Sequence, residues 1–486
     1  MDHVFRAVIR MCGLMLIIVG AALILTFIVS VLSGQWRGGL CFLILGSVIG
    51  LIGIISRIVC KGRKTKLQLG DGFLIVLVLW ILMSVAGSVP YIVTGTVSDP
   101  ASAFFESCSG FTTTGATVLD HIHSLPHGIL FWRAMTNWLG GVGILLIATT
   151  LMPTLSLNGQ RLNTPEHYGP VLERISPRMM DGIRTIIFVY TGMTFLETIL
   201  LTASGMSLFN ALIHSMSTVS TGGFSRYDEG IAHFDGVGIP LIITFFMLFS
   251  GLNYHLFLRR QSSNLKSLLR NSELRLYLVL FAASFGIITI ALIAPDLARP
   301  GRTFCDALFE SASFLTTTGF VSADYGSWPQ IAQAVLLFLM FCGACTASPG
   351  GGLKVARVSI LLKLVRHGIS TRLHANFLET IKMNGVGMAS ETISGVATMP
   401  FLYLTALFSA VFLLTFGDVS LAQAFNAAIS CLCNTGHALG DLSQGGTFAG
   451  FDAPSKYLLS LLMIGGRLEL YAIVIVLNPK YWIQSH

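Results

Sequence analysis

The sequence predicts an all-α membrane protein: four repeated units, each a span, a short helix and a second span, arranged around one axis and preceded by two extra transmembrane helices. Three observations predict it. Of 486 residues, 53% are hydrophobic and only 11% charged, whereas a soluble domain carries roughly 25% charged residues. Ten apolar stretches lie near residues 11–33, 39–60, 72–95, 128–152, 183–205, 237–258, 274–298, 331–347, 396–417 and 455–478, and a spanning helix needs about 20 such residues. Finally, Thr114-Gly115, Thr221-Gly222, Thr318-Gly319 and Thr435-Gly436 each end a short Ser- and Thr-rich stretch, with the glycines 107, 97 and 117 residues apart. A unit of about a hundred residues repeated along a chain sets its architecture ahead of any single side chain.

Residues 1–66 read as an N-terminal pair of spans. Met11–Ser33 is too long for the apolar core of a cleavable signal, and a second span follows it directly. The first unit, 67–160, carries SGFTTTGATV; the second, 161–262, STVSTGGFS; the third, 263–385, SFLTTTGFVS; and the fourth, 386–486, SCLCNTGHALG.

The third unit shows the pattern most plainly. After the span 274–298, Pro300–Arg302 make a turn, and Thr303 with Asp306 three residues on reads as a capping box with an acid in place of Glu or Gln. The helix runs through DALFESASFL and ends at Thr316–Gly319. About 12 residues at 1.5 Å each give roughly 18 Å, too short to cross a bilayer. The chain must enter and return, which is tolerated only against protein or a water-filled path. Asp99, Thr303 and Ser420 each lie 16 residues before their glycines, and Ser207 lies 15 before its own; all four suit an N-cap. Pro100 and Gln423 add first-turn and capping-box support. Four re-entrant helices would aim the partial negative charge of their C-termini at the membrane centre, where it favours a dehydrating cation. A plain helix C-cap would account for one Thr-Gly pair, not for four at a near-constant offset. Four oxygen-rich turns can close around one pore, where backbone carbonyls replace the water shell of a small cation.

Further along the third unit, the second span is interrupted by ACTASPGGGL at Ala344–Leu353. Pro349 followed by Gly350, Gly351 and Gly352 cannot continue a helix.

The net charge of +7 would suit a polyanion, but its placement is topological. With a cytosolic N-terminus and alternating spans, 23 of the 30 Lys and Arg fall on the cytosolic side or its boundary. Six fall outside (Arg37, Arg133, Arg226, Arg299, Arg302 and Lys456), and Arg467 lies within a span. That asymmetry is the positive-inside rule; it puts both termini in the cytosol and needs no nucleic acid. The basic segments 259–275 and 354–382 are candidate docking surfaces, although solvated faces beside lipid headgroups explain them equally well.

Enzyme chemistry is not expected. Cys342 and Cys345, and Cys431 and Cys433, lie in apolar surroundings as core thiols, and twelve scattered histidines form no ligand cluster. There is no HExxH-type motif. Arg467 is costly inside a span and should face the bundle interior or water. Glu106 and Glu310 occupy equivalent points of two re-entrant helices and read as hydrogen-bonding scaffold behind the turns, as does Glu197. Asp120, Asp324 and Asp441 follow their glycines by five residues, and Asp228 follows Gly222 by six. They form either a carboxylate ring that concentrates cations at an outer mouth or simple turn-formers.

With TTTGA, STGGF, TTTGF and an Asn434-Thr435-Gly436 loop, the fourfold unit resembles the Trk/Ktr/HKT superfamily of potassium transporters over essentially the whole chain. NWLGG at Asn137–Gly141, GGGLK at Gly350–Lys354 and GRLELY ending at Tyr471 add to this, and the two leading spans resemble the TrkH/TrkG type rather than the shorter Ktr subunits. The resemblance implies potassium uptake across a bacterial inner membrane through a gated, channel-like pore within each subunit. It also implies a homodimer and a cytosolic nucleotide-binding, TrkA-like regulatory ring, with K+ as the transported ion and no organic cofactor. Moving one charge through 100 mV is worth roughly 2.3 kcal/mol, which supports a concentration ratio of about 50-fold, so membrane potential suffices as the drive.

Carried over by position, the filter would be Thr112, Thr113, Thr114 and Gly115; Val219, Ser220, Thr221 and Gly222; Thr316, Thr317, Thr318 and Gly319; and Cys433, Asn434, Thr435 and Gly436. The gate would be the loop of Ser348, Pro349, Gly350, Gly351 and Gly352, with Arg467 beside the path below the filter. Glycine in all four loops resembles the potassium-selective branch. Two departures stand out: Gly436-His437-Ala438 where the family usually has Gly-Pro-Gly, and Ser348-Pro349 where it more often has Ser-Thr. The alternatives are a sodium or mixed-cation transporter, or an ion-coupled K+ symporter, of the same fold.

Overall fold

A computed structural model describes residues 2–60, 69–151, 177–258, 270–293, 300–374, 380–443 and 446–478. Seven of its helices are long and apolar enough to cross a membrane: Phe5–Leu32, Trp36–Val59, Asp71–Val93, His127–Ala148, Met180–Ala203, Ser272–Ile293 and Ser390–Leu414. They match seven of the ten expected spans.

The other three expected spans are broken. Gly238–Ser250 stops at Gly251 and the chain resumes as His255–Leu258. Gln330–Cys342 stops at Gly343 and resumes, after a loop, as Val355–Leu373. Ala453–Arg467 gives way to Leu468–Leu470, where Glu469 and Leu470 have φ of 61° and 59°, before Tyr471–Leu477. Thirteen residues of helix reach only about 20 Å of a hydrocarbon core about 30 Å thick. Each break brings backbone against the centre of the molecule; a Cβ at Gly251, for instance, would lie 2.9 Å from Thr316 Cγ2.

The two leading helices pack through glycine. A Cβ at Gly20 would lie 2.7 Å from the Gly46 carbonyl oxygen, and one at Gly53 2.6 Å from that of Gly13, so small residues let the backbones touch, as between helices in lipid.

Four short helices follow their leading spans: Pro100–Phe111, Leu208–Val219, Pro300–Leu315 and Leu421–Cys433. Three begin where the sequence places them. Asp99 accepts from the Ser102 N–H at 2.9 Å, and that donation holds its carboxyl below the usual aspartate range. Ser207 accepts from Asn210 N–H at 3.4 Å, and Ser420 and Gln423 form a complete capping box. The third differs: it has begun by Pro300, so Thr303 lies in its first turn and is not the cap. Proline suits a first turn, and Asp306, freed from a capping box, pairs one turn back with Arg302 at 3.4 Å.

Candidate ion pathway

The four loops after the short helices share one backbone signature. Thr113, Thr317 and Asn434 have φ of 48°, 54° and 54°, and two residues later Gly115, Gly319 and Gly436 have φ of 84°, 75° and 81°. In the second loop Thr221 has φ of 53°, and the matching glycine is Gly223, at 68°. This corrects the register read from Thr221-Gly222 by one residue. Ser220–Gly223 is the counterpart of Thr112–Gly115, and Val219 is the last residue of its helix. Counted from Gly223, Ser207 is 16 residues before and Asp228 five after, the same offsets as in the other loops.

The loops close on one another. A Cβ at Gly115 would run into the Gly222 carbonyl oxygen, one at Gly223 into that of Thr318, one at Gly319 into that of Thr435, and one at Gly436 into that of Thr114. Each glycine meets its neighbour's carbonyl, and the fourth returns to the first. Only a residue without a side chain permits both this approach and the positive φ. Thr112, Thr113, Thr114, Ser220, Thr221, Thr316, Thr317, Thr318, Cys433, Asn434 and Thr435 are all fully buried around this ring. On one side of it lies a cavity of about 40 Å³ lined from all four loops by Gly115, Gly223, Gly319 and His437.

Behind the ring, the position nine residues before each glycine holds Glu106, His214, Glu310 and Ala427. Glu106 accepts from Val118 N–H at 3.0 Å and from the Thr117 hydroxyl; Glu310 accepts from Ser322 N–H at 2.7 Å. Both carboxylates therefore strap the chain leaving the ring to their own helix. His214 does the same in the second unit, its Nε2 lying 3.3 Å from Ser225 Oγ. The corrected register is the signal that would have picked His214 out. Arg133, assigned by charge placement to the outer face, is 2% exposed, paired with Glu106 at 2.8 Å and stacked over Phe224 at 4.1 Å. Lys456 is likewise buried, on Ser102 Oγ and the Ala449 carbonyl. Glu197 is fully buried, with the Thr218 side chain of the second short helix beside it as a hydrogen-bonding group.

The aspartates stand at the turns beyond the ring. Asp120 accepts from Thr447 Oγ1 at 3.1 Å. Asp228 accepts from Ile122 N–H at 2.9 Å and lies 3.0 Å from His123 Nδ1, and Asp324 caps its own turn through Gly326 N–H. Asp441 is in the turn Gly440–Leu442, with its side chain outside the described residues. The three described carboxylates thus hold turns, two of them across units.

The opposite side of the ring is covered by the loop between Cys342 and Val355. Gly351 N–H donates to Thr317 Oγ1, a Cβ at Gly350 would lie 2.8 Å from the Thr316 carbonyl oxygen, and one at Gly351 would strike that of Cys433. Lys354 donates to the Gly350 carbonyl, and Ser348 Oγ to that of Cys345 at 2.6 Å. Arg467 ties this loop to the ring: its guanidinium donates to the carbonyls of Thr112, Thr113 and Pro349. Arg467 therefore ends a broken helix instead of sitting inside a continuous one. Glu469, within the break, pairs with Arg357. Lys354 and Arg357, read from sequence as cytosolic charges, are 8% and 4% exposed. The loop itself is anchored by Glu273, which accepts from the Thr346 hydroxyl at 2.8 Å and from Asn253 Nδ2 at 3.2 Å. Among the described residues no group of His, Cys, Asp and Glu could hold a metal ion.

The family described as TrkH, cation transport protein, matches residues 42–482. The Trk system potassium uptake protein TrkH of Halomonas elongata is 32% identical over 98% of this chain and 99% of its own. TrkG of Escherichia coli (strain K12) is 30% identical over 99% of both chains. The crystal structure of the potassium transporter TrkH from Vibrio parahaemolyticus matches with a TM-score of 0.90 at 29% identity, over 98% of this chain and 99% of that one. A multi-pass membrane protein and a transporter rather than an enzyme, this chain belongs to the TrkH family of cation transport proteins.

Proposed function

We propose that this protein takes up K+ across the inner membrane of a bacterium through a pore formed within one chain, with the membrane potential as the drive. The observation that carries this reading is the closed ring of glycine–carbonyl approaches among four loops of a single polypeptide. Oxygens held at fixed separation by glycine backbone can replace the hydration shell of a potassium ion. The filter is then Thr112–Gly115, Ser220–Gly223, Thr316–Gly319 and Cys433–Gly436. The names and full-length similarity of the Trk system potassium uptake proteins support the same ion.

The loop from Gly343 to Lys354 and the Arg467 guanidinium lie against the ring from one side and form the gate in this reading. A positive charge on the filter carbonyls opposes a resting cation there. Resemblance to the family supports a homodimer with cytosolic termini, opened by a cytosolic nucleotide-binding ring.

The test is ion flux through purified protein in vesicles at a set membrane potential. K+ flux well above Na+ flux, with no imposed Na+ or proton gradient, supports the reading. Comparable Na+ flux would favour a mixed-cation transporter, and K+ flux that requires a second ion gradient a symporter.

A further inference from the structure

Two residues past each ring glycine, a carbonyl is gripped by the preceding unit. Thr117 O accepts from Phe448 N–H at 2.8 Å, Ser225 O from Arg133 Nη1 at 3.2 Å, Val321 O from Ile231 N–H at 2.8 Å, and Ala438 O from the Tyr325 hydroxyl at 3.0 Å. The grip runs around the ring in the same cyclic order as the glycine contacts. The first three exits also have the strap from Glu106, His214 or Glu310 on their own helix. The fourth does not, because the strap position is Ala427, a fully buried methyl.

Tyr325 is suited to hold this exit in the absence of a strap. It is fully buried, fixed edge-on against Phe314 with ring centroids 5.2 Å apart, and sits in a turn of the third unit six residues beyond Gly319. Its acceptor is the residue next to His437, which lines the cavity beside the ring. The inner end of the fourth loop is held separately, by Asn434 Nδ2 on Thr114 Oγ1 and the Met463 carbonyl, each at 2.9 Å. Among the described residues, Tyr325 is the side chain of another unit that donates to the exit of the fourth loop, whose own His437 ring lies against the Gly319 backbone.

We infer that Tyr325 is a positioning residue for ion selectivity: its hydroxyl sets where the fourth loop stands in the ring and so how well the pore tells K+ from Na+. This rests on the proposed potassium pore. Without the donor, the Thr435 and Gly436 backbone can relax relative to Gly319 and Thr114, and the ring loses the fixed spacing that favours the larger ion.

The experiment compares K+ and Na+ flux in vesicles for the wild type, Tyr325→Phe, and a chain with 4-fluorophenylalanine at position 325. The fluorinated ring keeps the volume of the hydroxyl without donating, and carries the same test should Tyr325→Phe not fold. The K+/Na+ flux ratio is expected to fall roughly fivefold in both variants, as loss of one buried hydrogen bond allows, with incorporation into vesicles unchanged. A wild-type ratio in either folded variant would overturn the inference while leaving the potassium pore intact. A wild type that shows no preference for K+ would instead overturn the pore reading, and this inference with it.

Discussion

The guanidinium of Arg467 donates to the main-chain oxygen of Thr113 at 2.8 Å, putting a cationic group on the very carbonyls proposed to strip water from a cation. Arg467→Ala should remove the charge and the link to Pro349 together. Charge-assisted hydrogen bonds contribute about 1.5–3 kcal/mol, so resting K+ leak is expected to rise roughly tenfold or more. Vesicle flux without any regulator measures it; an unchanged leak in folded protein would make Arg467 structural.

Glu273 anchors the same loop from the other end, through Thr346. Glu273→Ala should loosen the loop and raise resting flux roughly fivefold. Glu273→Gln keeps an acceptor and should fall between Ala and wild type. Equal flux in all three would show that the anchor does not hold the gate shut.

The register of the second loop has its own signature. A residue with a Cβ at Gly223 would strike the Thr318 carbonyl and must adopt φ of 68°, whereas the atoms nearest a Cβ at Gly222 belong to a side chain, that of Asn137. Left-handed backbone costs a residue with a Cβ about 1–2 kcal/mol. Gly223→Ala should therefore abolish K+ flux, and Gly222→Ala should reduce it less. The reverse order would restore the Thr221-Gly222 alignment.

Breaking the buried pair of Glu106 and Arg133 should destabilise the protein by about 3–5 kcal/mol, since one charge is left uncompensated. Glu106→Ala and Arg133→Ala should each lower the unfolding temperature in detergent, and the double variant should lose less than the sum. Additive losses would mean the two act independently.

Neutralising Asp120, Asp228, Asp324 and Asp441 together to Asn separates two roles. If their field concentrates cations, flux should fall most at low K+ and low ionic strength. A loss equal at all salt concentrations would leave them as turn-holders.

What could be read in the sequence was local chemistry. Asp99, Ser207 and Ser420 announced their helix starts because a cap acts on the next three residues. Pro349 and the three glycines after it announced the broken third unit for the same reason. Thr303 misled because Pro300 and the Arg302–Asp306 pair extend that helix by a turn. The breaks after Ser250 and Arg467 are hidden, since Gly251-Leu252-Asn253 and Leu468-Glu469-Leu470 carry no proline and no run of glycines to stop a helix. The second loop offers Gly222 and Gly223 in a row, and the choice depends on a carbonyl from another unit. Charge placement gives only a side of the membrane for Arg133, Lys456, Lys354 and Arg357; their burial depends on Glu106, Ser102 and Glu469, distant along the chain, and for Lys354 on the nearby Gly350 carbonyl of a loop folded against the ring.

If one polypeptide builds the ion path, rubidium locates that path most directly. Crystals grown in Rb+ should show anomalous scattering on the axis enclosed by the carbonyls of Thr114, Gly222, Thr318 and Thr435 within each subunit. Anomalous peaks confined to an interface between subunits, or none inside the ring, would contradict it.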